Sequence, residues 1–263
     1  MGPIENIQKI AIIGGGNMGG TLAAALVENR LLKADNIVVA TPNPHKCANL
    51  SANGVKVITS NSEAVIGADL VIIAVKPWIL HDVVAQIKEY VKCDTEISAI
   101  VAGVSCDELK NMWGTRCPDV LSIAMPNTAM KVLESMTFIV PVTGAPELAG
   151  ELFARLGDVE VIAEKQLGAA TALGSCGIAY AMRYIRAAME GGTELGFSPE
   201  TAKGIVCQTV LGAVKLIYNP FTHPEVEIDK VTTPGGLTIR GLNEMEKNGF
   251  SAAVIAGLKA SAK

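Results

Sequence analysis

With 263 residues, 49% apolar and 18% charged side chains, and a formal net charge of −4, the chain is long enough to bury a large core and to divide into two domains. No run of Lys or Arg interrupts it, so a phosphate backbone finds no basic track and nucleic acid is not expected as a partner. Only 4% of the residues are aromatic, which points to helices that pack closely through small side chains.

The N-terminal MGPIENIQK has neither a basic leader nor a small-residue cleavage site, and Gly2 with Asn6 fails the acylation pattern, so secretion and lipid anchoring are not expected. Short β-branched runs at 10–13, 37–40, 70–75 and 97–101 read as strands buried on both faces. Amphipathic stretches at 18–28, 62–66 and 79–88 lie between them. Strands alternating with helices imply right-handed crossovers and an open doubly wound sheet of the α/β class. Further strands are expected at 120–123, 137–140 and 159–162.

After Glu164 the strand patterns stop. Helices are expected at 165–195, 199–217, 237–247 and 251–259, rich in Ala, Leu and Gly. The uncharged stretch 166–182 is marginal for a membrane span and reads better as a buried interface helix. The domains expected are therefore 1–163, binding a dinucleotide, and 164–263, all-helical, too apolar to stand alone and dimerising through that half. Cys47, Cys93, Cys106, Cys117, Cys176 and Cys207 have no paired spacing and read as free thiols of a reducing cytoplasm. His45, His81 and His223 are isolated as well, so neither a metal cluster nor a Ser-His-Asp arrangement is expected.

The run Gly14-Gly15-Gly16-Asn17-Met18-Gly19 follows the first strand and opens the first helix, which is the context that G-x-G-x-x-G requires for a Rossmann-type fold. Gly14 is expected to make the turn, Gly16 to let backbone amides reach a pyrophosphate, and Gly19 to let helix and strand pack. NAD-binding chains carry a carboxylate at the end of the second strand to hold the ribose. Here Thr41, Asn43 and Lys46 follow that strand instead, a set of donors that suits the 2′-phosphate of NADPH while leaving NADH possible. Lys76, in the AVKP that closes the third predicted strand, sits at the edge where ligands bind. Thr233-Pro234-Gly235-Gly236-Leu237-Thr238 puts a turn with free amides at a helix N-terminus, suited to a small carboxylate; an ordinary interhelical turn capped by Thr is the alternative.

Taken together, GGGNMG, AVKP, AGV, MPNTA, TALGSCGIAY and VTTPGGLTIRGLNEME resemble the pyrroline-5-carboxylate reductase family in order and spacing over nearly the whole chain. The resemblance implies a Rossmann-type domain followed by a helical dimerisation domain, and NADPH-dependent reduction of 1-pyrroline-5-carboxylate, a cyclic imino acid, to L-proline. It implies a carboxylate received by Thr233, Gly235, Gly236 and Thr238; Thr238, beside that loop, is the candidate proton donor, with a bound water as the alternative. Cofactor contacts are implied at Asn61, Ala74, Lys76, Pro77 and Ala102, besides Gly14, Gly16, Asn17, Met18, Gly19, Thr41 and Asn43. A homodimer is implied, with a ring of dimers as an extension. Four departures stand out: Ile123 replaces an Arg, Ala129 a Pro, Leu237 a small residue or Thr, and LGSCGIAY the usual LSGSGPAY. They leave a related imine or hydroxyacid oxidoreductase, for which Lys203 and Lys215 offer cations, and a non-catalytic NADPH-binding paralogue as rival readings.

Overall fold

The computed structural model describes Ile4, residues 7–218 and residues 221–262; the reading at Gly2 and Asn6 lies outside them. The chain divides into two compact units, Met1–Ser175 and Cys176–Lys263. In the first unit, β1 (Ile10–Ile13), β2 (Ile37–Ala40), β3 (Lys56–Ile58), β4 (Leu70–Ile73), β5 (Glu96–Ala99), β6 (Leu121–Met125), β7 (Ser135–Thr143) and β8 (Gly157–Val161) form one sheet. Their order is β3-β2-β1-β4-β5-β6-β7-β8. Every residue of β1, β2, β4 and β5 is buried, as strands covered on both faces must be. Alternate side chains feed two clusters: Ile10, Ile12, Val39 and Ile72 belong to one, and Ala11, Ile13, Val38 and Ile73 to the other.

The helices of this unit are α1 (Asn17–Glu28), α2 (Ala48–Ala52), α3 (Asn61–Val65), α4 (Leu80–Ile87), α5 (Cys106–Trp113), α6 (Glu147–Ala154) and α7 (Leu167–Ala170). All neighbouring strands are parallel except β6 and β7, which pair antiparallel. Their link, residues 126–134, is too short for the dozen or more residues that a parallel crossover takes. The run expected at 70–75 ends as a strand at Ile73, while that expected at 137–140 extends over Ser135–Thr143. β3, α2, α5 and α6 were not anticipated.

The second unit holds α8 (Gly177–Glu194), α9 (Pro199–Ile217), α10 (Pro224–Val231), α11 (Leu237–Lys247) and α12 (Phe250–Ser261). Of these, α10 was not anticipated. Gly192 on α8 lies so near α9 that a Cβ there would stand 3.1 Å from the Ala202 Cβ. Ser198 caps α9 by accepting the Thr201 amide, with Pro199 fixing the first turn. The continuous helix expected over 165–195 is instead broken by a π-helical turn at Thr171–Cys176. Among the described residues of this unit, Ala202 is the single buried apolar one, while Phe221, Leu195, Leu216 and Val231 are exposed. Surface of this kind calls for a covering surface. No helix among the described residues is long and apolar enough to cross a membrane.

One buried carboxylate ties the sheet to its covering helices. Glu96, 5% exposed at the start of β5, accepts the Leu148 and Ala149 amides of the first turn of α6 at 3.0 and 2.7 Å. Burial pushes its carboxyl above the ordinary range, against the pull of the two amides. Glu96→Ala, which leaves both amides without an acceptor, is expected to cost about 1–3 kcal/mol in urea unfolding. Because the folded value is raised, protonation favours the fold; that contribution is complete below the ordinary carboxylate pKa and is lost as pH rises through the folded one. The stability difference between wild type and Glu96→Gln should therefore shrink with rising pH across this window, and a flat difference would show that the carboxyl is not shifted.

Candidate active site

β1 ends in a turn that only glycine accommodates. Gly14 has φ +109°, donates its amide to the Ala40 oxygen of β2 at 2.8 Å, and leaves no room for a Cβ, which would stand 2.3 Å from the Ala74 oxygen. A Cβ at Gly19 would stand 2.1 Å from the Gly14 oxygen and 3.0 Å from the Ala74 Cβ. Gly16 is the opposite case: it is exposed, and nothing lies within 4 Å of its Cβ position. It begins α1 without a side-chain cap. The amides at the start of α1, through Asn17 and Met18, thus open onto free space that a side chain at 16 would intrude on, a fit to a dinucleotide pyrophosphate.

The flanking strand ends supply the remaining predicted contacts. Thr41 is buried, with its hydroxyl accepting the Asn43 amide at 3.4 Å, whereas Asn43 and Lys46 are exposed. Asn61 opens α3 and donates its side-chain amide to the side-chain Oε1 of Gln86 on α4 at 2.7 Å. Ala74 bonds back to the Ile13 oxygen at 2.7 Å. Lys76, Pro77 and Ala102 follow β4 and β5, exposed at the same edge. The twelve cofactor residues expected from the sequence thus gather at the carboxyl ends of β1 to β5, the edge where ligands bind in open α/β sheets.

Three further features were not read from the sequence. Gly15 is closed by Cys47, whose sulfur would lie 2.7 Å from a Cβ there; the Cys47 thiol donates to the Gly15 oxygen, and burial pushes its pKa up. Lys131, from the link after β6, lines a cleft of about 520 Å³ together with Gly16, Asn17, Lys46 and Glu28, so that two cations and one carboxylate border it. Asn127 accepts the Ala129 amide at 2.9 Å and donates to the Gly174 oxygen at 3.1 Å, fastening the Met-Pro-Asn turn to the π-helical turn. Only Asn127 left a signal, within the MPNTA run.

The predicted substrate residues gather separately, at the start of α11. Thr233 to Gly236 form a type II turn: Pro234 holds the second position, Gly235 the third with φ +71°, and the Gly236 amide donates to the Thr233 oxygen at 2.9 Å. Gly236 begins α11 with no side-chain cap and no acidic residue in the first turn. Its Cβ position lies 2.5 Å from the Thr233 hydroxyl, which therefore borders the helix end. Thr238 is exposed on that first turn. Uncapped amides, a positive dipole end and two hydroxyls suit a small carboxylate. Among the described residues no three His, Cys, Asp or Glu side chains come together to hold a metal.

Residues 164–263 match the family model described as pyrroline-5-carboxylate reductase dimerisation, and residues 9–101 match NADP oxidoreductase, coenzyme F420-dependent. Pyrroline-5-carboxylate reductase 2 of Dictyostelium discoideum is 34% identical over 99% of this chain and 93% of its own length. The chain belongs to the pyrroline-5-carboxylate reductase family. Pyrroline-5-carboxylate reductase 1 of the same organism is 40% identical over 96% of the chain, which spans about half, 48%, of that relative's length. The crystal structure of Plasmodium falciparum pyrroline carboxylate reductase with NADP bound superposes with a TM-score of 0.88 at 28% identity, covering 98% of this chain and 97% of that one.

Against the family pattern, two departures find a physical reason in this chain. Ile123, in place of the usual Arg, is fully buried on β6 within the same cluster as Ala99 and Val140, where an unpaired guanidinium would be costly. Gly174, in place of the usual Ser, meets the Phe138 ring, whose nearest carbon would be 2.5 Å from a Cβ. Gly174→Ser alone is therefore expected to overpack this contact and cost about 1–3 kcal/mol. Adding Phe138→Ala should recover part of that loss. Two additive penalties in a double-mutant cycle would show the pair to be uncoupled.

Proposed function

We propose that this chain reduces 1-pyrroline-5-carboxylate to L-proline with NADPH, NADH being able to take its place. The observation that carries the reading is the uncapped N-terminus of α11 behind the Thr-Pro-Gly-Gly turn, in a chain whose glycine loop is shaped for a dinucleotide. Gly235, Gly236 and the first-turn amides receive the substrate carboxylate, with the Thr233 and Thr238 hydroxyls completing its hydrogen bonds. Thr238 also donates the proton to the imine nitrogen. An imine is basic enough to need a positioned weak donor more than a strongly tuned acid. When bound, NADPH supplies the hydride that the C=N carbon accepts.

On the cofactor side, Gly16, Asn17 and Met18 hold the pyrophosphate by their amides, and Asn43 and Lys46 take the 2′-phosphate, with Thr41 fixing the turn beneath them. Asn61, Ala74, Lys76, Pro77 and Ala102 line the rest of the dinucleotide's path, while Gly14 and Gly19 hold the loop in shape. The functional division falls at 163/164, where the dimerisation match begins. The chain works as a homodimer built through its helical half, with a ring of dimers as the larger assembly. Six free cysteines accord with a cytoplasmic setting.

The test is the spectrophotometric assay of NADPH oxidation with pyrroline-5-carboxylate, with hydroxybutyrate-type keto acids and with no substrate. Turnover on the imine alone is expected; turnover on the keto acids would move the chain among hydroxyacid dehydrogenases, and NADPH binding without turnover on either would make it non-catalytic. Thr238→Ala is expected to lower kcat/KM by about tenfold or more, the worth of one charge-assisted hydrogen bond, and Thr238→Ser to restore it. A raised KM with unchanged kcat would confine Thr238 to binding. Sedimentation of the full chain should give twice the chain mass, or a higher even multiple of it where dimers close into a ring.

A further inference from the structure

Trp78 is 77% exposed, while the other tryptophan, Trp113, is 1% exposed in the core. An indole left in water forgoes the burial that aromatic side chains ordinarily supply, and an exposed one beside a ligand edge is a mark of binding. The position is not a loose loop. Pro77 opens a short 3₁₀ turn, Pro77–Ile79, the Ile79 amide donates to the Lys76 oxygen at 3.1 Å, and Leu80 anchors the start of α4 with full burial. The bond from Asn61 to Gln86 ties α3 to α4 behind this turn.

The sheet order β2-β1-β4 places the ends of β2 and β4 on either side of the glycine loop. A dinucleotide with its pyrophosphate on α1 and its 2′-phosphate near Asn43 and Lys46 has its adenine at this same edge, with two broad faces to desolvate. Tyr90, the other exposed aromatic residue of this unit, follows the C-terminal end of α4 and so lies toward the opposite edge of the sheet. We propose that Trp78 is the platform on which the adenine ring of the dinucleotide stacks. The proposal rests on the NADPH reading given above and assigns the base a binding residue that the glycine fingerprint does not encode.

The probe is adenosine 2′,5′-bisphosphate, which carries the base and the 2′-phosphate and lacks the nicotinamide. Titrated into the full chain, it is expected to quench and shift the solvent-exposed tryptophan emission. In Trp78→Phe, where Trp113 is the remaining tryptophan, the same titration should leave the emission unchanged while calorimetry still records binding. Trp78→Ala should raise the dissociation constant for the bisphosphate, and the KM for NADPH, by about tenfold, within the range of a base–aromatic stack. Trp78→Phe should recover most of that loss, and the KM for reduced nicotinamide mononucleotide, which has no adenine, should stay at the wild-type value in both variants. Unchanged bisphosphate affinity in Trp78→Ala, or an equal loss with the mononucleotide, would overturn the stacking role while leaving the cofactor reading intact. Failure of the wild-type chain to bind NADPH would overturn the cofactor reading, and the platform with it.

Discussion

The architecture of the carboxyl edge depends on one close approach, that of the start of α1 to the ends of β1 and β4. The Cβ positions of Gly14 and Gly19 are both occupied by backbone: the Ala74 oxygen in one case, the Gly14 oxygen in the other. Any side chain at either place pushes the helix away from the sheet, and with it the amides that Gly16 leaves open. Gly15 extends the constraint sideways, because Cys47 and Thr41 fill the space its side chain would need. The end of β2 is therefore set against the loop by the same glycine run. The openness of the α1 amides and the packing of the sheet are thus one constraint and not two.

A second regularity concerns how the helices begin. Most of the longer helices receive an acceptor from the chain at their first turn: Ser105 at α5, Glu96 at α6, Ser198 at α9, His223 at α10 and Glu246 at α12. α4 grows out of a 3₁₀ turn and α8 out of the π-helical turn. α1 and α11 begin at glycine with no side-chain cap and no acidic residue in the first turn. A helix N-terminus left without a partner is destabilising unless water or a ligand supplies the acceptor. Both are helices that the sequence motifs mark, one for pyrophosphate and one for carboxylate.

How much of this was legible follows from the range of each interaction. The strands at 10–13 and 37–40 were readable because a strand covered on both faces needs an apolar residue at every position. β3 was not, since Lys56–Ile58 is a three-residue edge strand with an exposed first residue. Local composition favours an unbroken helix over 165–195, and the π-helical turn comes from contacts remote in sequence: the Asn127 amide on the Gly174 oxygen and the Phe138 ring beside it. Lys131 was illegible for the same reason, since it joins Gly16 and Lys46 only after the chain has passed through β6. α10 was hidden by its charges; its helix rests on the His223-Pro224 start and on a Lys230–Glu227 pair, neither of which creates an apolar stripe. The turn at 233–236 was readable as a turn, because Pro followed by Gly favours one locally, while its type II geometry appears only in the structure.

The helical unit carries this argument one step further. Its described residues bury one apolar side chain, Ala202, while long apolar side chains such as Leu216 and Val231 stay in water. Fixing the backbone of each residue costs roughly 1–2 kcal/mol, and burial on this scale within the unit is too small to offset that. The order of α11, and so of the Thr-Pro-Gly-Gly turn at its head, must draw on apolar area covered outside the unit. An assembly contact would then act on the proposed carboxylate site without touching it, because whatever covers these side chains also holds in place the amides at the start of α11.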